Sequence, residues 1–397
     1  MNPKQIYSCD IFCTVVDNYG DIGVCWRLAK QLASEHGMTV RLWVDDLASL
    51  HKLCAEVDPT RLIQQHRGVE IMHWGMPFAE VVPAQLVIEA FACELPERYV
   101  LAMAEQAHQP VWLNLEYLSA EDWVAGCHGL PSPHPRLPLI KYFFFPGFSR
   151  DTGGLLLEKD LLVQRDAFQA DPAAQQKYWQ ALGVPARQTG EVRVSLFSYE
   201  NPAVQGLLAA WSAGEQALTC LVPEGRVLPQ VASFFGRQQL FAGDMVQHGR
   251  LRVIVLPFVE QEEYDKLLWA CDCNFVRGED SCVRAQWAGK PFIWHIYAQH
   301  DGVHMKKMRA LLDLYCKELE PESARALRAL WEVWNAGDAA SPDVLKSSAQ
   351  IWNDFLNHQS MLRRHAKFWA ERLSGNNLAL NLLDFSLKVG RIAPFEI

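Results

Sequence analysis

VVDNYGDIG, Val15 to Gly23, decides how this chain is read. To its left, Cys9–Val16 is almost wholly apolar after Asp10, as a strand covered on both faces requires. To its right, Ile22–His36 has helical periodicity, with Trp26, Leu28, Ala29, Leu32 and Ala33 near one face and Gly37 placed to stop the helix. Strand, short turn and helix in that order open a nucleotide-binding α/β unit. The turn, however, carries Asp17 and Asp21, where a phosphate loop wants glycine, lysine or bare backbone N–H groups. The turn therefore raises the question of what chemistry wants carboxylates at the end of a first strand.

The chain has 397 residues, which at about 150 residues per domain implies two domains or three. Half of them are hydrophobic and 21% are charged, a balance that suits a soluble globular protein with sizeable cores. Forty-six acidic residues against 37 basic ones give a net charge of −9, and no long basic run disturbs that balance, which disfavours a nucleic-acid-binding face. Eleven cysteines, an odd number without a CxxC pair, are expected to be reduced thiols. The N-terminus lacks a signal-peptide layout and no run of 18 apolar residues occurs, so a cytoplasmic chain without a membrane span is expected. Fourteen tryptophans fit either aromatic packing or ligand stacking.

Strand and helix alternate twice. In the first third, Thr39–Val44, Val69–His73, Leu86–Ala90 and Val111–Leu115 read as further strands and Pro96–His108 as a helix. LPSPHPRLPL, Leu130–Leu139, reads as a loop. The alternation restarts with strands at Val192–Phe197, Ala217–Val222, Arg252–Leu256, Cys273–Val276 and Pro291–His295, separated by helices, and the tail from His304 reads as helical. This predicts an α/β fold: a Rossmann-like domain over 1–150, a linker region over 151–190, and a second Rossmann-like domain with a helical tail over 191–397. Two doubly wound domains facing a cleft match the GT-B glycosyltransferase plan, as well as that of two-domain dehydrogenases and periplasmic binding proteins. The dehydrogenases want a G-x-G-x-x-G after a strand and the binding proteins a secretion signal; neither is present.

NFVRGEDS, Asn274–Ser281, is the second informative stretch. Ser281 reads as the N-cap of a helix over Cys282–Ala288, whose N–H groups can hold a phosphate, and Arg277 can add charge-assisted hydrogen bonds. Glu279 and Asp280 repel phosphate but suit sugar hydroxyls, a division that fits a nucleoside-diphosphate sugar. A capped helix with surface charges explains the same residues. SLFSYEN, Ser195–Asn201, and LPFVEQEEYD, Leu256–Asp265, end strands of that sheet, so Phe197, Tyr199, Phe258 and Tyr264 can stack on a base, or simply fill a core. Asp21 on its own can be an N-cap and Asp17 a turn residue. His128 and His134 lie in a loop and suit hydrogen bonding better than catalysis. Glu116 and Tyr117 follow the Val111–Leu115 strand, at the edge where the first domain's ligand would bind.

VVDNYGDIGVCWRLA together with VRGEDS, SLFSYEN, LPFVEQ and CHGLPSPHP resembles the bacterial elongation factor P arginine rhamnosyltransferase family, from the first strand through at least Tyr297. The resemblance implies a GT-B fold and transfer of L-rhamnose from dTDP-β-L-rhamnose, with inversion, to one arginine of elongation factor P, supporting that factor's relief of polyproline stalling. It implies no metal and no cofactor beyond the donor substrate. By the same resemblance Tyr199, Phe258, Gln261 and Tyr264 line the thymidine, and Arg277, Glu279, Asp280 and Ser281 meet the diphosphate and sugar, with Glu279 also in the catalytic set. Asp17 and Asp21 face the acceptor arginine, Asp21 as the favoured base; sheet topology, and not the resemblance, adds Glu116 and Tyr117 to the acceptor-binding set. Two alternatives stay open: a GT-B enzyme with another nucleotide-sugar donor or acceptor, and a non-catalytic binding module, in which one of the two aspartates would be expected to be lost.

Overall fold

The computed structural model describes residues 6–17, 19–75, 78, 80–298, 302–337 and 348–390. The chain divides into two compact units, one formed by residues up to Lys159 together with those from Leu373 onward, the other by Asp160–Arg372. Each has its own sheet.

In the first unit the parallel strands are β1 (Ser8–Cys13), β2 (Thr39–Val44), β4 (Val69–His73), β5 (Leu86–Ala90), β6 (Val111–Leu115) and β8 (Ile140–Phe144). Antiparallel edges are added by β3 (Ile63–His66) and β7 (Pro131–Pro133), giving the order β3-β4-β2-β1-β5-β6-β8-β7. Helices α1 (Gly20–His36), α2 (Leu47–Leu53), α3 (Glu97–Glu105) and α4 (Trp123–Cys127) connect them. The sheet buries Phe12, Trp43, Val87, Tyr99, Met103 and Trp112 in one aromatic-rich core, with Phe12 stacked on Trp43 at 5.4 Å. Within β1 the fully buried Asp10 accepts bonds from Arg41 (2.6 Å from both Nε and Nη2), from Ala84 N at 2.9 Å and from the Tyr99 hydroxyl. A carboxylate can sit inside a strand only when it is satisfied in this way. The stretch expected as a loop, Leu130–Leu139, instead contains β7 and turns into β8. His134 forms that turn: its Nδ1 accepts Leu137 N at 3.1 Å, while His128 Nδ1 accepts Phe145 N at 3.0 Å.

In the second unit helices α5 (Leu161–Ala170) and α6 (Pro172–Ala181) precede β9 (Val192–Leu196), α7 (Ala203–Ala213), β10 (Leu218–Pro223), α8 (Leu228–Phe234), β11 (Met245–His248), β12 (Leu251–Leu256) and α9 (Gln261–Ala270). There follow β13 (Cys273–Arg277), α10 (Gly278–Trp287), β14 (Phe292–His295), α11 (Val303–Cys316), α12 (Pro321–Asn335), α13 (Ser348–Asn357) and α14 (Gln359–Leu373). The order is β11-β12-β10-β9-β13-β14, parallel except for β11. Among the described residues all eleven cysteines are free, and Trp211, Trp287, Trp294, Trp331, Trp334 and Trp369 are fully buried core residues.

The division differs from the one expected at two places. Residues 151–190 are not only a connection: α5 and α6 pack on the second sheet's helices, through Arg165 Nη1 to Trp287 O at 2.9 Å and Tyr178 OH to Glu263 O at 2.8 Å. The last helix, α15 (Leu378–Val389), belongs to the first unit. Leu155 bridges Asn377, and Phe385 packs against His128, Tyr142 and Phe144.

Gly154 makes that return possible. Its φ is +78°, and a Cβ there would lie 2.3 Å from Asn376 O, the acceptor of Leu155 N. Gly154→Ala is expected to cost about 2–4 kcal/mol, from left-handed strain plus the clash. Gly37→Ala, with φ +64° but open space around it, should cost only about 1–2 kcal/mol. Equal losses in thermal unfolding would contradict the role given to the Asn376 contact.

Candidate active site

In open α/β sheets ligands bind at the carboxyl ends of the strands, where the strand order reverses. In the first unit that point lies between β1 and β5, and in the second between β9 and β13.

Three successive N–H groups follow β1, and carboxylates take all of them. Val15 N donates to Asp45 Oδ1 at 2.9 Å, and Val16 N and Asp17 N both donate to Asp21 Oδ2 at 2.9 Å. A phosphate loop needs such groups for its ligand; here they are spent on side chains. Asp21 is not the N-cap, a position held by Tyr19 without a side-chain bond. Asp21 lies in the first turn of α1, 3% exposed, and folds its carboxylate back onto the turn. That end of a helix also favours a negative charge. Asp17 is half-buried beside it, close enough that a Cβ on Gly20 would lie 2.9 Å from its Oδ2.

Across the switch point, the chain leaves β5 through Phe91, Ala92 and Glu94 with φ of 56°, 54° and 54°. Each such non-glycine conformation costs on the order of 1–3 kcal/mol and persists only where its surroundings fix it. Phe91 N donates to Leu115 O at 2.7 Å, Ala92 N to Asn114 Oδ1 at 3.0 Å, and Cys93 Sγ to Phe12 O at 3.4 Å. Asn114, 1% exposed, also donates to Glu116 Oε1. The rings of Phe91 and Tyr117 stack at 4.5 Å with 19° between their planes. Glu116 and Tyr117 therefore lie at the sheet edge where the sequence puts them. Asn114 and the strained turn were not identified from the sequence, because a turn without glycine gives no signal of left-handed backbone.

In the second unit Arg277 ends β13 and is 5% exposed. Its guanidinium carbon lies 4.6 Å from the Phe197 ring centroid and 4.7 Å from that of Tyr199, both just beyond β9. Two aromatic faces hold the cation in place, each contact contributing about 0.5–2 kcal/mol. Tyr264 packs edge-on against Phe197 at 5.7 Å, Gln261 Nε2 donates to Asp280 Oδ2 at 3.4 Å, and Phe258 N donates to Glu224 Oε2 at 3.4 Å. The helix after β13 starts at Gly278, not at Cys282. Gly278 adopts φ +64°, so the chain turns directly from strand to helix, and Trp294 Nε1 donates to its carbonyl at 2.8 Å. Ser281 is consequently inside the helix and is not its N-cap, while Glu279 and Asp280 occupy the first turn. Glu279 pairs with Lys307 Nζ at 2.7 Å, and below it Arg284 grips Asp265 in a buried bidentate pair at 2.9 and 2.7 Å. His295 sits 5.3 Å from Tyr199 and 3.1 Å from Ser198 Oγ. Burial first, then Arg277 and His304, push it down to about 3, so it is neutral near pH 7. Lys307, His295 and the Arg284–Asp265 pair went unmarked in the sequence. The two-residue spacing of Phe197 and Tyr199 was the available signal for the rings around Arg277.

Among the described residues no group of three or more His, Cys, Asp or Glu is placed to hold a metal ion, and no helix is long and apolar enough to cross a membrane.

Residues 9–387 match the family model described as elongation factor P (EF-P) rhamnosyltransferase EarP. A protein-arginine rhamnosyltransferase of Pseudomonas aeruginosa is 50% identical over 95% of this chain and 98% of its own. A solved structure described as the structural basis for EarP-mediated arginine glycosylation of translation elongation factor EF-P is 37% identical, with a TM-score of 0.67, over 95% of this chain and 98% of that one. A glycosyltransferase from Rickettsia africae, 9% identical with a TM-score of 0.52 over 97% of this chain and 98% of its own, shares the fold alone.

His295 supplies a test of the electrostatics around Arg277. Its folded-state value lies below the unfolded one of about 6.5, so its neutral form stabilises the fold above that pH. That contribution is lost as pH falls from about 6.5 towards about 3. His295→Gln should flatten the decline of the unfolding midpoint between about pH 6.5 and 4.5; an unchanged slope would contradict the assignment.

Proposed function

Because the chain belongs to the elongation factor P (EF-P) rhamnosyltransferase family, we propose that it moves L-rhamnose from dTDP-β-L-rhamnose to an arginine of elongation factor P, inverting the anomeric carbon. It is a glycosyltransferase whose acceptor site is the turn after β1 and whose donor site is the end of β13. In the cytoplasm, such a modification would serve the factor's relief of polyproline stalling. The observation that carries this reading is the pair of opposite chemistries at the two switch points: carboxylates in one unit, a buried ring-flanked arginine in the other.

The acceptor sets the problem. A guanidinium keeps its proton to a pKa above about 12 and offers no free lone pair. Full removal of that proton by an aspartate before attack would be prohibitive. One carboxylate can instead fork onto two N–H groups and fix the plane, the role assigned to Asp17. The second, Asp21, takes the proton late, as the new C–N bond forms and the nitrogen's acidity rises. Asp21 Oδ2 is tied to two backbone N–H groups, so its other oxygen, Oδ1, is the one assigned to the acceptor. Glu116 and Tyr117 border the same place.

Attack from the face opposite the diphosphate breaks the C1–O bond, and dTDP leaves with the electron pair. Its negative charge is met by Arg277 and by the N–H groups at the start of α10, with Ser281 in the first turns. Glu279 and Asp280 take sugar hydroxyls. Lys307 holds the first carboxylate and Gln261 the second, which limits their repulsion of the diphosphate. Tyr199, Phe258, Gln261 and Tyr264 form the surroundings of the thymidine. Positioning supplies much of the rate, and no metal enters the scheme.

Incubating the chain with elongation factor P and dTDP-β-L-rhamnose should add one deoxyhexose to the intact mass of the factor, with an α-configured sugar by NMR. An unmodified factor, when another nucleotide sugar is transferred under the same conditions, would overturn the donor assignment and favour the alternative GT-B enzyme.

A further inference from the structure

The turn after β5 is more elaborate than its place in a sheet requires. Phe91, Ala92 and Glu94 all lie in the left-handed region, none of them glycine. A relaxed exit from β5 would continue the strand direction. This one bends at once, and the bend lays the Phe91 ring flat against Tyr117, at the end of the neighbouring β6. Four bonds fix it: Phe91 N to Leu115 O, Ala92 N to Asn114 Oδ1, Cys93 N to Ala90 O and Cys93 Sγ to Phe12 O. The last reaches the end of β1, immediately before the turn that carries Asp17 and Asp21. Asn114 ties the same loop to Glu116. Tyr117 remains 38% exposed, whereas Phe91 is half-buried.

We infer that Phe91 is a positioning residue for the protein acceptor: it holds Tyr117 as a rigid aromatic ledge at the first unit's switch point, on which the arginine-bearing segment of the acceptor lies. This rests on the reading of the β1 turn as the acceptor site. The chemistry suits the acceptor. A guanidinium is planar, weakly hydrated and stacks on aromatic faces, while its edges remain available to carboxylates. An isolated exposed tyrosine would have to be ordered when the acceptor binds. One already stacked on a fixed partner loses less freedom at that moment. The backbone strain therefore has a physical use, since the left-handed exit from β5 goes with the stack of the Phe91 ring on Tyr117.

The inference concerns binding of the acceptor and not the chemical step, and this separates it from a structural role. Phe91→Leu keeps an apolar side chain but removes the flat face. At saturating dTDP-β-L-rhamnose, it should raise KM for elongation factor P about tenfold while kcat stays within about twofold, as expected when binding shared by ground and transition states is lost. Phe91→Trp, which restores a flat ring, should recover most of the KM. Tyr117→Leu combined with Phe91→Leu should be little worse than either alone, because both remove one ledge. The thermal unfolding midpoint of the variants serves as the readout of intact folding and should stay close to that of the wild type, and affinity for dTDP, assigned to the other unit, should not move. Unchanged KM in Phe91→Leu, a fall in kcat at constant KM, or additive effects of the two substitutions would each overturn the inference. A wild-type chain that transfers nothing to the factor would instead overturn the functional reading beneath it.

Discussion

Asp21 Oδ2 accepting the N–H groups of Val16 and Asp17 is the contact from which the rest of the site follows. Backbone N–H groups at the end of a first strand are the usual means of holding phosphate in a doubly wound fold. Once a buried carboxylate has taken them, that edge can no longer attract an anion, and its own negative charge favours a cation. Asp45 removes a third N–H group in the same way. In the proposed reaction the donor's diphosphate is therefore assigned elsewhere, and the opposite arrangement occurs at the end of β13. There an arginine is held against two aromatic rings at the start of a helix.

Both sites use one topological device with inverted electrostatics. Each lies where its strand order reverses, so loops from neighbouring strands meet at one edge of the sheet, the place where open α/β sheets bind ligands. In the first unit these are the Asp17–Asp21 turn and the strained exit from β5. In the second they are the Phe197–Tyr199 segment and Arg277 with the first turn of α10. The supporting groups are buried and satisfied: Asn114 beneath the first, the Arg284–Asp265 pair and neutral His295 beneath the second. Such a second layer fixes the geometry of the residues above it.

Much of this was legible in the sequence because the signals are local. Continuous apolar strands and period-3.6 helices gave the alternation, and β2, β4, β5 and β6 fall on their expected residues. The carboxylates at 17 and 21, the arginine at 277 and the aromatics at 197 and 199 stood out by their positions after strands. What stayed hidden depends on partners distant in the chain. Asp10 stood in the first strand as a polar residue with no visible partner, yet it is buried because Arg41, Tyr99 and Ala84 N satisfy it. The proline-rich LPSPHPRLPL looked like a loop, yet a short hairpin forms through pairing with β8. The start of α10 was placed four residues late because Ser281 resembles a cap, whereas a left-handed Gly278 allows the helix to begin at once. The return of α15 to the first unit depends on one glycine whose missing side chain leaves room for Asn376 O.

The central claim is that phosphate and cation are handled by different units. Calorimetric titration of dTDP into the wild-type chain, Asp21→Asn and Arg277→Ala, with turnover measured on the same preparations, tests it most directly. The account predicts that Asp21→Asn abolishes transfer while dTDP affinity stays within about twofold, and that Arg277→Ala weakens dTDP by at least about tenfold, the loss of one charge-assisted contact. A loss of dTDP affinity in Asp21→Asn as large as that in Arg277→Ala would contradict it.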